Sequence, residues 1–553
     1  MAQRINKLEL TWIGKDDDPI ALEPRLLIDT PEYSFGEVET ATLPNGKPWP
    51  GNMLIHGDNL LALKALEQDF AGQIKCIYID PPYNTGNAFE HYDDNVEHSI
   101  WLSLMYRRIQ LLHNLLSKNG VLFINLDENE QAYCKVICDE IFGRSNYVGD
   151  LIWQKRKGGG NDSRYFAIDH DYILVYCKNK SKEVHQRWYV SQSEEYQKRY
   201  KEIDDKGNRY FWDTVARNGL KNAIPVSVKC PDGSTLNINS QKSQATIDEC
   251  LKTGQIRLTR SKNGWTLHHR VYMSGNQVLR SILNNVGTNK TAGDESVALF
   301  SSNPFDYPKP EALIGKLLEL TTSPGDIVLD SFLGSGTTAA VAHKMGRRWI
   351  GVELGDHAYT HCALRMRKVI DGEQGGISKA QNWKGGGGFK FYELAPSLLN
   401  HDKHGNFVIN KEYNADMLAA AMAKHQGFTY APDEELYWKQ GHSSEHDFIF
   451  TTTQLLTSES LEAIHNQMNE NESLLICCTK FQPECRGHFS NITIKKIPKV
   501  LLETCMEFDK DDYSLNIVSI PDIEDEEWED EESDDEVIDN HNSKKTDDRS
   551  LFD

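Results

Sequence analysis

The feature that most constrains this chain is a rhythm that stops and later resumes. From residue 52 to 154, short apolar runs alternate with stretches of helical period: NMLIHGD, NLLALKALEQDF, IKCIYID, SIWLSLMYRRIQLLHNLLSKNG, VLFINLD and NEQAYCKVICDEIFG. The last two helical stretches are predicted to stop at Gly120 and Gly143. Strands and helices in this alternation predict a parallel sheet built from crossover units. From about 180 to 300 the rhythm is lost in sequence rich in Lys, Asn, Ser and Gly, with only short strand candidates such as AIPVSVKC and QIRLTR. It resumes near 305 with KPEALIGKLLELTT, DIVLDSF, TTAAVAHKMG, RRWIGVEL and HAYTHCALRMRKVI. Neither part alone has strands enough to bury both faces of a parallel sheet, so a single α/β sheet interrupted by an inserted domain is predicted. After the glycine-rich KGGGGFKFYEL, taken as a hinge, a mixed α/β C-terminal region follows with DFIFTTTQLL and SLLICCTKF.

The formal net charge of -22 argues against a nucleic-acid partner until its location is considered. Much of it lies in the last stretch, IEDEEWEDEESDDEVID and beyond, which is predicted to be a disordered acidic tail. The remaining body is mildly acidic and carries local basic clusters: Lys155, Arg156 and Lys157, then Arg347 and Arg348, then Arg365, Arg367 and Lys368. A solvated helix face or loop explains each of these as well as a phosphate does. The 11 cysteines are scattered with no CxxC pair, so no metal site and no disulfide framework is expected. No apolar run approaches the roughly 18 residues of a membrane helix, and the N-terminus MAQRINKLELTW lacks an apolar signal core. A cytoplasmic protein is expected.

Two stretches carry chemistry. VLDSFLGSGTT, residues 328 to 338, reads as a strand, a glycine turn and a helix start. Gly334 and Gly336 let the backbone turn and approach a ligand closely, while the helix N-terminus offers free N–H groups. Thr337 stands where a Walker loop needs lysine, and a third glycine is missing for a dinucleotide fingerprint. Roughly 20 residues on, the strand RRWIGVEL ends in Glu353, an acid suited to ribose hydroxyls. A ligand with a ribose but no phosphate, S-adenosylmethionine, suits this pocket, and Asp330 at the strand tip is placed for its ammonium. A plain structural turn and a solvent-facing carboxylate remain the bland alternatives.

The other stretch is YIDPPYNTGN, residues 78 to 87. Asp80 ends an apolar strand at the carboxyl edge, where α/β sheets place their ligands. Pro81 and Pro82 lack N–H donors and have fixed φ, so the loop cannot wind into a helix that consumes its carbonyls. The Asp80 carboxylate beside the Pro81 carbonyl forms a double acceptor that matches an exocyclic amine with two N–H donors. Holding both hydrogens localises the nitrogen lone pair and aims it at an electrophile. Tyr83 offers a ring for a base to stack on.

DPPYNTG upstream and DSFLGSGTT downstream, separated by a long insert, resemble the β-ordered amino-group DNA methyltransferases. A fuller resemblance, through GDNLLALKAL, VLFINLDENEQ, EIFGRSNYV, KPEALI, GGGFKFYEL and DFIFTTTQLL, is to the Mod subunits of type III restriction-modification systems. It covers nearly the whole chain except the middle insert and the acidic tail. It implies a Rossmann-like S-adenosylmethionine-dependent methyltransferase sheet and transfer of a methyl group to the N6 amine of adenine in duplex DNA by base flipping. It also implies that Asp80, Pro81, Pro82 and Tyr83 are catalytic, and that Phe332, Gly334 and Gly336 hold the cofactor. Glu353 falls on the ribose, Lys309 and Pro310 fall near the methionine end, and Asp58 falls near the adenine, although Asp58 reads equally well as a helix N-cap. Leucine follows Phe332 where alanine is more usual in that family.

The implied organisation is an N-terminal extension over 1–50, a catalytic half over 51–155 and a target recognition domain over 156–300. A cofactor half over 301–395, a C-terminal domain over 396–520 and the acidic tail over 521–553 complete it. Lys155, Arg156 and Lys157 at the start of the insert are expected to contact phosphates. The implied partners are double-stranded DNA, a second copy of the chain and a separate Res-type helicase-nuclease, because the chain has no Walker loop of its own. A solitary or cytosine-N4 methyltransferase and a catalytically inactive specificity subunit are the rival readings.

Overall fold

A computed structural model of the chain describes residues 9–12, 15, 22–83, 98–158, 165–181, 188–191, 194–216, 219, 221–262, 264–273, 276–301 and 304–503. The NTG that follows Tyr83 and the acidic tail expected over 521–553 lie outside the described residues. The first α/β half runs β1 (Leu27–Asp29), β2 (Asn52–His56), α1 (Asn59–Phe70), β3 (Ile74–Ile79), α2 (His98–Leu115), β4 (Leu116–Leu126) and α3 (Gln131–Cys138). There follow β5 (Tyr147–Gln154), β6 (His170–Cys177), β7 (Ile282–Leu283), α4 (Asn289–Phe300), α5 (Glu311–Thr321), β8 (Ile327–Asp330), α6 (Thr337–Lys344), β9 (Arg348–Glu353), α7 (Leu364–Ile370) and β10 (Gly388–Leu394). The strands form one sheet in the order β1-β10-β2-β9-β8-β3-β4-β6-β5-β7.

From β10 to β4 every neighbouring pair is parallel. β6 then runs antiparallel to both β4 and β5. The expected single interrupted sheet is therefore what forms, with β3 from before the insert hydrogen-bonded to β8 from after it. Both faces are covered, as the apolar strands require. Leu54, Tyr78, Phe123, Val328, Trp349, Phe389 and Phe391 pack with Leu317 and Met366 in one core cluster. Each such side chain contributes about 1.5–3 kcal/mol on burial.

Three expectations change. α2 ends at Leu115 and β4 begins at once, so Gly120 lies inside a strand rather than at a helix stop. A Cβ there would lie 2.9 Å from the Ile74 carbonyl oxygen and 3.0 Å from that of Ser117, so only glycine fits. The supposed hinge GGGGFKFYEL supplies β10, a central-sheet strand. β6 lies within the span assigned to the insert, yet its buried DYILVYC run pairs with β4.

Between β6 and β7 the described residues build small antiparallel sheets. The largest joins Glu202–Ile203, Arg209–Thr214, Gly264–Tyr272 and Ile256–Ser261. They share a core of Val215, Val226, Val228, Ile247, Ile256 and Leu267. The C-terminal region has its own five-stranded sheet, in which Asp447–Leu456, Ser473–Phe481 and Ile492–Lys496 run parallel. Among the described residues no helix is long and apolar enough to cross a membrane.

A buried ionic cluster ties the second half together. Lys344 of α6 donates to both Glu311 oxygens at 2.9 and 2.8 Å, and Arg365 of α7 donates to Glu311 at 2.9 Å. All three side chains are at most 2% exposed. Burial pushes the Glu311 carboxyl up, but Arg365 and Lys344 outweigh it and hold the group below its ordinary value. Glu311→Ala leaves buried Arg365 without its carboxylate and Lys344 with Glu373 alone, and should cost about 3–5 kcal/mol. Urea unfolding of the variant beside wild type measures this, and a loss under about 1 kcal/mol would mean that water reaches the cluster.

Candidate active site

β3 and β8 pair in parallel with Val328 opposite Cys76 and Leu329 opposite Ile77. Asp330, the last residue of β8, and Asp80, one past the end of β3, thus emerge side by side at the carboxyl edge. Some 250 residues of chain separate them in sequence. The cavity between them has a volume of about 310 Å³, at the lower end of the usual range for small-molecule sites.

Asp80 sits in a polar network. Its Oδ1 accepts from the Tyr83 hydroxyl at 2.8 Å and from Asn125 Nδ2 at 3.3 Å, and its Oδ2 accepts from Lys309 Nζ. Asn125 Nδ2 also donates to the Tyr83 oxygen. Burial, reinforced by Asp171 and Asp80, holds the Tyr83 phenol well above its ordinary pKa, so it remains a donor. Asp171 Oδ2 lies 3.4 Å from that hydroxyl and Asp171 Oδ1 accepts from Lys155 Nζ at 2.6 Å. Trp101 Nε1 donates to the Pro82 carbonyl at 2.8 Å and fixes the loop, while among the described residues none donates to the Pro81 carbonyl.

The facing wall is the glycine turn. Gly334 and Gly336 have φ of 56° and 80°, the left-handed region that favours glycine. Gly334 lies against the Phe305 ring, and a Cβ on Gly336 would meet the Cys362 backbone at 3.3 Å. Asp330 Oδ1 accepts from Phe332 N at 3.0 Å. Burial pushes the Asp330 carboxyl up to about 7, against the Thr338 hydroxyl and Phe332 N–H that favour its charged form. Asp127, also on the cavity wall, is pushed up to about 6, mainly by burial.

The structure brings Asp80, Pro81, Pro82, Tyr83, Lys309, Asp330, Phe332 and Gly334 to this cavity, with Lys155 and Arg156 at its wall. Other expected residues lie behind it. Asp58 caps α1, accepting from Leu60 N at 2.8 Å and Leu61 N at 3.1 Å, and pairs with Arg108 at 3.1 Å. Its side chain is 1% exposed, so the capping reading describes its position. Glu353 braces the turn: it accepts from Gly334 N at 2.5 Å and Leu354 N at 2.8 Å, with His357 Nε2 at 2.7 Å. Gly336 and Glu353 thus shape the wall without lining it. Pro310 is the cap residue before α5, and Lys157 is exposed.

Lys155, expected to face phosphate, is instead paired with Asp171. The downstream basic clusters are structural in part. Arg365 is buried on Glu311 and Thr337, and Arg347 donates to the Thr322 carbonyl. Sequence reasoning missed Asn125, Asp127, Asp171 and Phe305. Asn125 and Asp127 did leave a signal, as polar side chains in and beside the otherwise apolar strand VLFINLD.

A parallel sheet with Asp80 at one strand tip and a glycine turn at the next sets the cavity at the carboxyl edge, where α/β proteins bind ligands. The chain belongs to the DNA methylase family, which it matches over residues 74–363. It is 34% identical over 407 residues to the "Probable type III restriction-modification enzyme HindVI Mod subunit" of Haemophilus influenzae, covering 62% of this chain and 54% of that one. Identity to the type III restriction-modification enzyme StyLTI Mod subunit of Salmonella typhimurium is 32%, over 60% of this chain and 55% of that one. The chain thus spans about half the length of these two relatives. Among solved structures, PvuII DNA methyltransferase (cytosine-N4-specific) shares 14% identity over 57% of this chain and 86% of that one. Its TM-score of 0.33 is too slight a likeness to bear on function.

Asp330 gives a pH signature. Between its ordinary value of 3.8 and about 7 the folded form keeps a proton that the unfolded form has lost, so this carboxyl costs the fold more stability as pH rises through that window. Asp330→Asn removes the cost. The stability of the variant relative to wild type should therefore climb from pH 4 to 7 and level off above, read as urea midpoints. A difference independent of pH would place the titration elsewhere.

Proposed function

We propose that this protein is a site-specific DNA methyltransferase that transfers a methyl group from S-adenosylmethionine to the N6 amine of adenine in duplex DNA. We read it as the modification subunit of a type III restriction-modification system. The observation that carries the reading is the adjacency of Asp80 and Asp330 on hydrogen-bonded parallel strands, one beside a double acceptor and the other beside a glycine turn.

The residues present fit the cofactor. Asp330 is a buried acid that gains from a cationic ammonium, Phe305 and Phe332 offer apolar surface, and the bare backbone at Gly334 admits close approach. When bound, S-adenosylmethionine supplies a methyl group on a sulfonium leaving group. Asp80 and the Pro81 carbonyl accept the two amine hydrogens and turn the nitrogen lone pair toward that methyl. The nitrogen would take the methyl as the methyl's bond to sulfur breaks, a thioether would leave, and the proton lost by the amine would pass to the Asp80 carboxylate that holds it. Placement and charge account for the rate. Tyr83 orients Asp80 through its hydroxyl and offers its ring to the flipped base.

Duplex binding falls to the inserted region. Arg257 lies 4.1 Å over the Trp212 ring and Arg270 lies 4.6 Å over the Tyr210 ring, a mix of cation and aromatic surface suited to nucleic acid. Arg156 and Lys157, both exposed, stand at the entrance to that region. The matching regions of the named Mod subunits support the type III assignment. That assignment brings with it a second copy of the chain and a separate Res-type subunit, which co-purification from the source cell would reveal.

Duplex DNA incubated with methyl-labelled S-adenosylmethionine and digested to nucleosides should yield label in N6-methyl-2′-deoxyadenosine alone. Label in cytosine, or none, would overturn the assignment. Asp80→Ala should abolish transfer and keep cofactor binding. Tyr83→Phe loses a hydrogen bond to a charged group, worth about 1.5–3 kcal/mol, so kcat should fall by about 10- to 100-fold. An unchanged kcat would leave the ring as the only contribution of Tyr83.

A further inference from the structure

Both oxygens of the carboxylate that would hold the target amine are already occupied. Oδ1 serves Tyr83 and Asn125, and Oδ2 serves Lys309. Oδ2 keeps a second lone pair, but an ammonium held on it draws on the charge that an incoming amine needs, so capture of the amine is favoured when one partner yields. Asn125 is 0% exposed within β4, and the loop of Tyr83 is pinned by Trp101. Lys309 is different: it reaches Asp80 on a flexible four-carbon stem from the loop before α5, with its ammonium 5.2 Å from the centre of the Tyr83 ring. An ammonium at this spot also opposes the positive charge that alkylation builds on the amine.

We propose that Lys309 is a latch on Asp80. In the free protein it fills the place of the target amine, and it is drawn off by the carboxylate at the methionine end of the cofactor, so that cofactor binding opens Asp80 to the base. This inference rests on the methyltransferase reading. The cavity supports the exchange. Of its three cationic wall residues, Arg156 is exposed and Lys155 pairs with Asp171, so Lys309 is the one whose move onto an anion would release Asp80. Asp330 on the neighbouring strand tip is the matching acid for the ammonium of the same amino-acid group. Moving Lys309 onto an anion frees Oδ2 and neutralises a charge that would otherwise work against transfer. Lys309 is thus a positioning residue that sets the order of binding: cofactor first, flipped base second.

The test uses the full-length protein and a duplex carrying 2-aminopurine at the target adenine of the recognition site, located beforehand from the positions that wild type methylates, and the probe's fluorescence rises when the base leaves the stack. S-adenosylhomocysteine keeps the carboxylate but cannot react, whereas methylthioadenosine has the nucleoside and no amino-acid group. In wild type, S-adenosylhomocysteine should tighten capture of the probe base by tenfold or more, and saturating methylthioadenosine should not. Lys309→Met should capture the base without any cofactor analogue and gain little from adding one. The proposal is overturned if Lys309→Met keeps the wild-type dependence, or if methylthioadenosine opens the site as well as S-adenosylhomocysteine does. The second comparison needs only the wild-type protein, so a variant that fails to fold does not block the test. Absence of methyl transfer by wild type would refute the methyltransferase reading, whereas transfer together with analogue-independent base capture would refute the latch alone.

Discussion

Parallel strands buried on both faces hold their register strictly, because a slip of one residue turns every side chain to the opposite face. In this chain the pairing of Val328 and Leu329 with Cys76 and Ile77 is where that strictness matters most. It joins the two halves of an interrupted sheet and sets Asp80 beside Asp330. Everything at the carboxyl edge follows: the proline loop leans over one strand tip, the glycine turn over the next, and a cavity opens between them. The turn in turn depends on side chains behind it. Glu353 receives the Gly334 N–H, and Arg365 binds the Thr337 hydroxyl at 2.8 Å while paired with Glu311.

The site is built largely from paired charges. Asp171 has Lys155, Asp58 has Arg108, and Asp80 has Lys309. Asp330 stands apart: burial outweighs its two hydrogen-bond donors and pushes its carboxyl to about 7. A buried acid with its charge disfavoured is a place that gains from an incoming cation. The cavity thus combines an acid, Asp330, with no ion-pair partner among the described residues and a cation, Lys309, parked on Asp80, the acid proposed to hold the target amine. A ligand bearing both an ammonium and a carboxylate satisfies both.

Much of this was legible in the sequence because periodicity reports burial. The βα alternation gave the strands and helices of the sheet, the two prolines marked a loop that keeps its carbonyls, and the two glycines marked positive φ. What escaped depends on contacts across the fold. Gly120 reads like a helix stop, yet it is required by the Ile74 carbonyl against which β4 packs. GGGGFKFYEL reads like a hinge, but its FKFYEL portion pairs with β2 and β1. Lys155 reads as a phosphate contact because nothing local shows that Asp171, 16 residues on, will claim it. Asp58 and Glu353 sit where strands end, where a cap, a brace and a ligand contact look alike until the hydrogen bonds are traced.

The central claim is that one cavity, walled by strand tips from both sides of the insert, holds the methyl donor against the amine acceptor. Photo-crosslinking with methyl-labelled S-adenosylmethionine, followed by peptide mapping, tests it directly. The account predicts label in the peptide containing residues 78–83 and in the peptide containing residues 330–338. Label confined to one of them, or found only in the C-terminal sheet, would contradict it.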